Sequence, residues 1–433
     1  MMKIKLYAEF LLEKMAQDMF ENQVVDPLRK QFNDVQTLLN YIEYGAFDKA
    51  KDAIIAGTVP NAVSFSQMET NSPLCAAIHK GKTELAKFML ENGADPNGAG
   101  NASTSVYAIS ANQYLPIQIA AMKDNTKMMK ILIDHGADVN LQNSNGQTAL
   151  HLACSKFLSK AVSFLVKNGA KIDIKNRVQM TPLAVLIENF NPSIHRRLNP
   201  KWNEKEKIYK VSDKPFEEFK EIMRILKENG ANFNETFRKY EDPYHGNMKI
   251  FELAKTFDVM YLLSRYGCDL TQKAENGSGR SSLHVAIYNF RHSELEEAIK
   301  FLVINNEVDI NNKDMHGETP LFWLCDKGYG WYSDTIPQLY RFMIKQMGAD
   351  PEITNEKGDT VLKQVVKRRK SKKIAKDLIE AGANPLSAFN SFQEMEDFFG
   401  KDEIPKIDVN KIYDISKVDK KFAASAAAKS MGF

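Results

Sequence analysis

Apolar and polar positions alternate along this chain with a helical period, in paired short segments closed by glycine. The stretch "TKMMKILIDHG" shows the unit. Met128, Ile131 and Leu132 fall on one helical face, and Gly136 follows, where a helix ends on a left-handed residue. Shorter apolar segments lie upstream, and Pro116, Pro182 and Pro320 open three of them. Proline suits a first helical position because its missing N–H would be unpaired there anyway. The pattern predicts a helix, a tight turn, a second helix, a glycine stop and a loop. One such pair cannot bury its apolar face alone, but stacked pairs can.

The unit recurs. Its second half reads "ENGADPN", "DHGADVN", "KNGAKID", "ENGANFN", "RYGCDLT", "QMGADPE" and "EAGANPL", with glycines at 93, 136, 169, 230, 267, 348 and 382. The steps from 136 to 169 and from 348 to 382 give a period of 33 to 34 residues. One copy, "INNEVDIN", sets Asn306-Glu307 in the place of Gly-Ala. The first half reads "NSPLCAAI", "YLPIQIAA", "QTALHLAC", "MTPLAVLI", "RSSLHVAI", "ETPLFWLC" and "DTVLKQVV". Over residues 38–386 these blocks resemble the T-P-L-H-x-A-A and L-L-x-x-G-A-D-x-N signatures of ankyrin repeats. The resemblance implies an all-α solenoid of stacked helix-turn-helix units joined by hairpin loops. Its concave groove would be lined by the first helix of each repeat. It also implies that His151 and His284 brace turns by hydrogen bonding.

Three regions follow. Residues 1–37 form an N-terminal helical segment, with Ile4, Ala8, Leu11, Leu12, Met15 and Met19 on one face; Glu9, Glu13, Lys14 and Asp18 interrupt any signal-peptide core. Residues 38–386 form the array. It starts with a degenerate unit at 38–63, with Gly45 between its helices and Gly57 after them. The fourth repeat needs 61 residues from Gly169 to Gly230, and the excess, 189–215, is polar, basic and proline-punctuated. It is expected to be a long loop between two helices. The fifth repeat, near 246–271, lacks Thr-Pro but keeps helical spacing, and the seventh carries an aromatic insertion at 328–337. Residues 387–433 hold a capping helix near 391–399 and a tail poor in large apolar side chains.

Composition narrows the chemistry. A net charge of +3 creates no global field, so any nucleic-acid or anionic-lipid partner must be read from a local patch. No apolar run is long enough for a transmembrane segment. Cys75, Cys154, Cys268 and Cys325 form no C-x-x-C pair, which excludes the common zinc modules. They read as core thiols of a reducing, cytoplasmic setting. The column of His151 holds Cys75, Gln118, Ala184, Glu252, His284, Phe322 and Lys363 in the other repeats, a structural slot rather than a catalytic base. Asp95, Asp138 and Asp350 fall after the glycine, where Asp and Asn satisfy local backbone groups. No phosphate loop, zinc-protease helix or nucleophile elbow is present. No catalytic residue, metal or cofactor is expected.

Two surface features stand out. Phe322, Trp323, Tyr329, Trp331 and Tyr332 are candidate partner-binding anchors, near the groove and in the inserted turn. Lys367, Arg368, Arg369, Lys370, Lys372 and Lys373 form a candidate basic patch on the turn of the eighth repeat. Arg196, Arg197, Lys201, Lys205 and Lys207 could add to it from the insertion. The expected function is a non-enzymatic scaffold that binds a partner protein through its concave face and loop tips. The alternatives are a host-directed effector of an intracellular bacterium, acting in the host cytosol, and a binder of nucleic acid or an anionic surface.

Overall fold

The computed structural model describes residues 26–58, 72–98, 114–190, 201–203, 208–210, 214–237, 248–275, 277–327, 335–400 and 403–405. The predicted N-terminal face from Ile4 to Met19 and the tail after residue 405 lie outside the described residues. The chain forms two compact units, Met1–Asn189 with Leu198–Ala231, and Phe190–Arg197 with Asn232–Phe433. Both are built from helix pairs, so the fold class is the all-α stack that the periodicity predicts.

In the first unit, α1 (Asp26–Glu43) and α2 (Phe47–Ile55) make the degenerate pair. The boundary drawn at residue 37 falls inside α1, because one apolar face continues through Val35, Leu38 and Ile42, all buried. The pairs α3 (Pro73–His79) with α4 (Thr83–Glu91), α5 (Pro116–Met122) with α6 (Thr126–Asp134), and α7 (Ala149–Ser155) with α8 (Ser159–Lys167) follow. The fourth repeat has α9 (Pro182–Asn189) and α10 (Lys214–Glu228). Its insertion is not all loop. Strands β1 (Lys201–Asn203) and β2 (Ile208–Lys210) pair antiparallel with Trp202 opposite Tyr209, and α10 already begins at Lys214.

The second unit opens with two short strands, β3 (Thr236–Phe237) and β4 (Met248–Lys249), also antiparallel. Here the fifth repeat departs from expectation. Its first helix is only a 3-10 turn, Ile250–Leu253, before α11 (Phe257–Arg265). Counting explains this. Eight residues separate His151 from Ser159 at the start of α8, but only five separate Glu252 from Phe257. Three missing residues remove almost one helical turn. Then come α12 (Ser282–Asn289) with α13 (His292–Lys300), α14 (Pro320–Lys327) with α15 (Thr335–Arg341), α16 (Val361–Gln364) with α17 (Lys372–Ala381), and the capping helix α18 (Phe392–Phe399).

Among the described residues, three π turns interrupt this unit, at Phe301–Asn305, Phe342–Gln346 and Val365–Arg369. Each absorbs one extra residue. In regular repeats the alanine N–H reaches back five residues, as from Ala137 to Leu132 O, whereas Val308 reaches Leu302 O and Ala349 reaches Met343 O, six residues back. The slots of the "INNEVDIN" copy therefore shift by one. Val308 takes the alanine slot, and Glu307, not Asn306, is the left-handed residue, at φ +56°.

Two polar ladders tie neighbouring repeats together within each unit. The Asn that ends G-A-D-x-N both donates and accepts. Asn140 Nδ2 donates to Gly169 O at 3.1 Å, and its Oδ1 accepts Lys171 N–H at 2.8 Å. Asn97, Asn234 and Asn311 make the same two bonds to Gly136 and Asp138, Gly267 and Asp269, and Gly348 and Asp350. At the hairpin tips, backbone N–H groups reach the preceding tip: Arg177 to Asn145 O, Met315 to Ser278 O and Glu356 to His316 O. This approach needs glycine at Gly146. A Cβ there would lie 2.7 Å from Arg177 N, and its φ is +70°.

Two outcomes follow for urea unfolding. Gly146→Ala should destabilise more than Gly136→Ala, which meets no neighbour, since both carry a left-handed penalty of about 1–2 kcal/mol but only the first adds a steric clash. Glu307→Gly should stabilise by about 0.5–1 kcal/mol, because it removes a side chain from a left-handed C-terminal position.

Candidate functional site

The reactive-looking column can be judged first. Thr148 N–H donates to His151 Nδ1 at 3.1 Å, the Thr148 hydroxyl lies 2.9 Å from the same nitrogen, and His151 Nε2 is 3.1 Å from Met180 O. The geometry fits a neutral ring with its proton on Nε2. His284 repeats it with Ser281 and with Glu318 O. Gln118 does the same with an amide, accepting Leu115 N–H at 3.2 Å and donating to Gln147 O at 2.8 Å. Even the Cys75 thiol points at the equivalent Tyr114 O, 3.6 Å away. In these four repeats the column bridges the first helix to the next hairpin.

Burial sets the titration of these groups. It holds both imidazoles well below their ordinary range, at about 4, against backbone acceptors that raise them. Burial also pushes the Cys75 thiol up to about 11 and Cys268 to about 12, and raises Cys154. All four cysteines are buried and outside any disulfide, and the raised thiols of Cys75, Cys154 and Cys268 lack a thiolate's reactivity. Asp95, Asp138 and Asp350 each accept the N–H two residues on, as turn residues do. Among the described residues no cluster of His, Cys, Asp and Glu could hold a metal ion, and no helix is long and apolar enough to cross a membrane.

The surface candidates divide. Phe322 is 1% exposed, so it is a core residue and not a partner contact. It fills the bridging column with packing instead of a hydrogen bond. Trp323, next along α14, turns outward. Its indole Nε1 donates to Asp314 Oδ2 at 3.0 Å, and its ring meets His284 and Tyr288 edge-on at 5.4 and 5.9 Å. The Arg280 guanidinium lies 4.8 Å over it. Tyr288, on α12, is 71% exposed. Tyr329, Trp331 and Tyr332 lie outside the described residues.

The basic run is less open than its sequence implies. Lys367 and Lys363 both approach Asp359 Oδ1, at 3.2 and 3.4 Å, and Lys372 Nζ donates to Phe399 O at 3.2 Å. Lys370 is exposed at the left-handed turn, φ +50°, and Lys373 is exposed on α17. The side chains of Arg368 and Arg369, and residues Arg196, Arg197, Lys205 and Lys207, lie outside the described set. Arg280 and Tyr288 were not expected at the site. The signal was in the columns: Arg280 stands where other repeats have Gln147, Met180 and Glu318, and Tyr288 where they have Met122, Ser155 and Glu188.

Stacked helix pairs with hairpin tips, bridged by a Thr/Ser–His element, define a helical repeat protein. A family model for ankyrin repeats, in three copies, matches residues 74–176. Residues 74–176 are thus similar to ankyrin repeats. The chain is 38% identical over 102 residues to the human transient receptor potential cation channel subfamily A member 1, covering 23% of this chain and 8% of that protein. It is 30% identical over 165 residues to the variola virus ankyrin repeat protein OPG189, covering 37% of this chain and 25% of that protein. The chain thus spans a quarter or less of these relatives' lengths. The ankyrin repeat domain of Bcl-3 aligns with a TM-score of 0.43 at 19% identity, over 63% of this chain and 98% of that domain.

The buried histidines set a pH dependence. Each is neutral when folded and has an ordinary pKa near 6.5 when unfolded, so the unfolded state binds the extra proton. Their contribution is complete above about pH 6.5 and is lost as pH falls towards 4, about 3 kcal/mol for each. Urea unfolding between pH 7 and 4 should show this loss. His151→Gln should flatten the curve with little cost at pH 7, since Gln118 already fills the slot; an unchanged slope would contradict the assignment.

Proposed function

We propose that this chain is a non-enzymatic scaffold that binds a partner protein on the first helices and hairpin tips of its second unit. Ankyrin repeats are generally protein–protein interaction modules. The observation that carries the reading is the cluster of Trp323, Tyr288 and Arg280. In the column of Trp323 the first unit holds Ile119, Leu152 and Val185. The second unit places an indole there and pins it by a hydrogen bond and three ring contacts. A pinned aromatic with an exposed tyrosine beside it loses little side-chain freedom on binding. Trp, Tyr and Arg are also the side chains that dominate interface energetics.

The test is affinity capture from the native cell with immobilised full-length chain, wild type against Tyr288→Ala. Tyr288 is exposed, so the fold should survive, as a thermal melt would verify. The partner's affinity should fall at least about tenfold, or about 1.4 kcal/mol. Equal recovery by both chains would sink this site.

A further inference from the structure

Resting on that reading, we infer that the partner presents an extended acidic segment carrying one apolar side chain, laid across the first helices of the sixth to eighth repeats. The charges of this surface are sorted by depth. Its aspartates are buried and engaged. Asp314 accepts His316 N–H, Glu318 N–H and the Trp323 indole. Asp359 takes Lys363 and Lys367. The cations lie further out. Lys273, Arg280, Lys313, Lys357 and Lys367 are exposed and Lys363 is half-buried. Against them the same tips set Glu318, half-buried, and Glu356, exposed, while Glu275 pairs with Lys249 at 2.5 Å. The surface that a partner meets is cationic.

Arg280 gives this preference a geometry. Its guanidinium carbon lies 4.8 Å over the Trp323 ring, and no carboxylate among the described residues pairs with it. A guanidinium placed in this way offers its fork to an incoming carboxylate, beside the apolar edge formed by Trp323 and Tyr288. Spacing sets the length of the segment. Tyr288 and Lys367 hold the same column two repeats apart. Packed helices lie 8–10 Å apart, so these positions are roughly 16–20 Å apart. An extended chain covers that distance in about five or six residues. An apolar side chain at Tyr288 and Trp323, an acid at Arg280 and further acids at Lys363 and Lys367 therefore fit one strand.

The experiment uses full-length chain and fluorescence anisotropy with four labelled probes. They are a Glu-rich 12-residue peptide with one central Leu, the same peptide with Ser for Leu, its Lys-rich counterpart and a dodecathymidine. The acidic Leu peptide should bind best, weaken as salt rises, and lose at least fivefold in affinity with Arg280→Gln and with Lys367→Glu. Arg280→Lys should recover only part, since it keeps charge without the fork. No binding of the acidic peptides would overturn the inference. So would equal or tighter binding of the Lys-rich peptide or the oligonucleotide, or affinities that neither variant changes. If the native partner is recovered and Tyr288→Ala loses it while the acidic probes fail, the scaffold stands and only the acidic segment falls. If Tyr288→Ala leaves capture of the native partner unchanged, the scaffold site itself falls.

Discussion

The fold depends on how one backbone carbonyl is satisfied, the carbonyl preceding the N-cap of each first helix. Gln147, Met180 and Glu318 each accept a bond within their own hairpin, from Asn143, Asn176 and Asp314 N–H. The second lone pair is open to a donor from the previous repeat. Amide and imidazole supply it, from Gln118, His151 and His284. Where the bond forms it takes reach and a proton to donate, not histidine chemistry. That is why reactive-looking residues gather at this joint without forming a reactive site.

The same account explains where the column fails without breaking the stack. Ala184 and Phe322 have no donor to offer. The carbonyl they would serve keeps a hairpin bond, as Asp359 O does from Asn355 N–H. A carbonyl with one of two lone pairs filled is tolerated better than an orphan N–H. The Asn ladder behaves similarly. Glu352 stands in its column, and its Oε1 accepts Asn384 N–H at 2.8 Å, but a carboxylate cannot donate to the glycine carbonyl as Asn does. Burial and nearby Asp350 raise its pKa. The bonds between repeats thus differ by single atoms, with the helix pairs unchanged.

Much of this was legible in the sequence, because glycine, proline and apolar spacing report backbone constraints directly. The left-handed stops at Gly93, Gly136 and Gly169 follow from position alone. The π turns did not show, because each closes its helix and leaves no further helical turn to reveal the one-residue shift; in one copy the shift puts Glu307 in the glycine slot. The shortened fifth repeat needed counting between two columns, not inspection of either. At the site, Trp323 was legible as an aromatic on a first helix. Phe322 was misread because adjacent helical positions point about 100° apart, and only one of the two can face outward. Arg280 and Tyr288 lay in columns where the repeat signature says nothing.

The inner surface can vary because the hairpin base uses its side chain in halves. Asn143, Asn176, Asp314 and Asn355 all give Oδ1 to the N–H groups two and four residues on. That half holds the tip. In Asp314 and Asn355 the other half bonds the residue nine positions later, on the first helix. Asp314 Oδ2 accepts the Trp323 indole, Asn355 Nδ2 donates to Gln364 Oε1 at 3.1 Å, and Asn143 Nδ2, opposite Leu152, has no partner. A donor at the ninth position selects Asp at the base, and an acceptor selects Asn. An aliphatic residue there leaves the second half idle at a cost of about 1–3 kcal/mol. Recognition residues can therefore be exchanged on the helix by an Asp–Asn change at the base, with the Oδ1 contacts that hold the hairpin left intact.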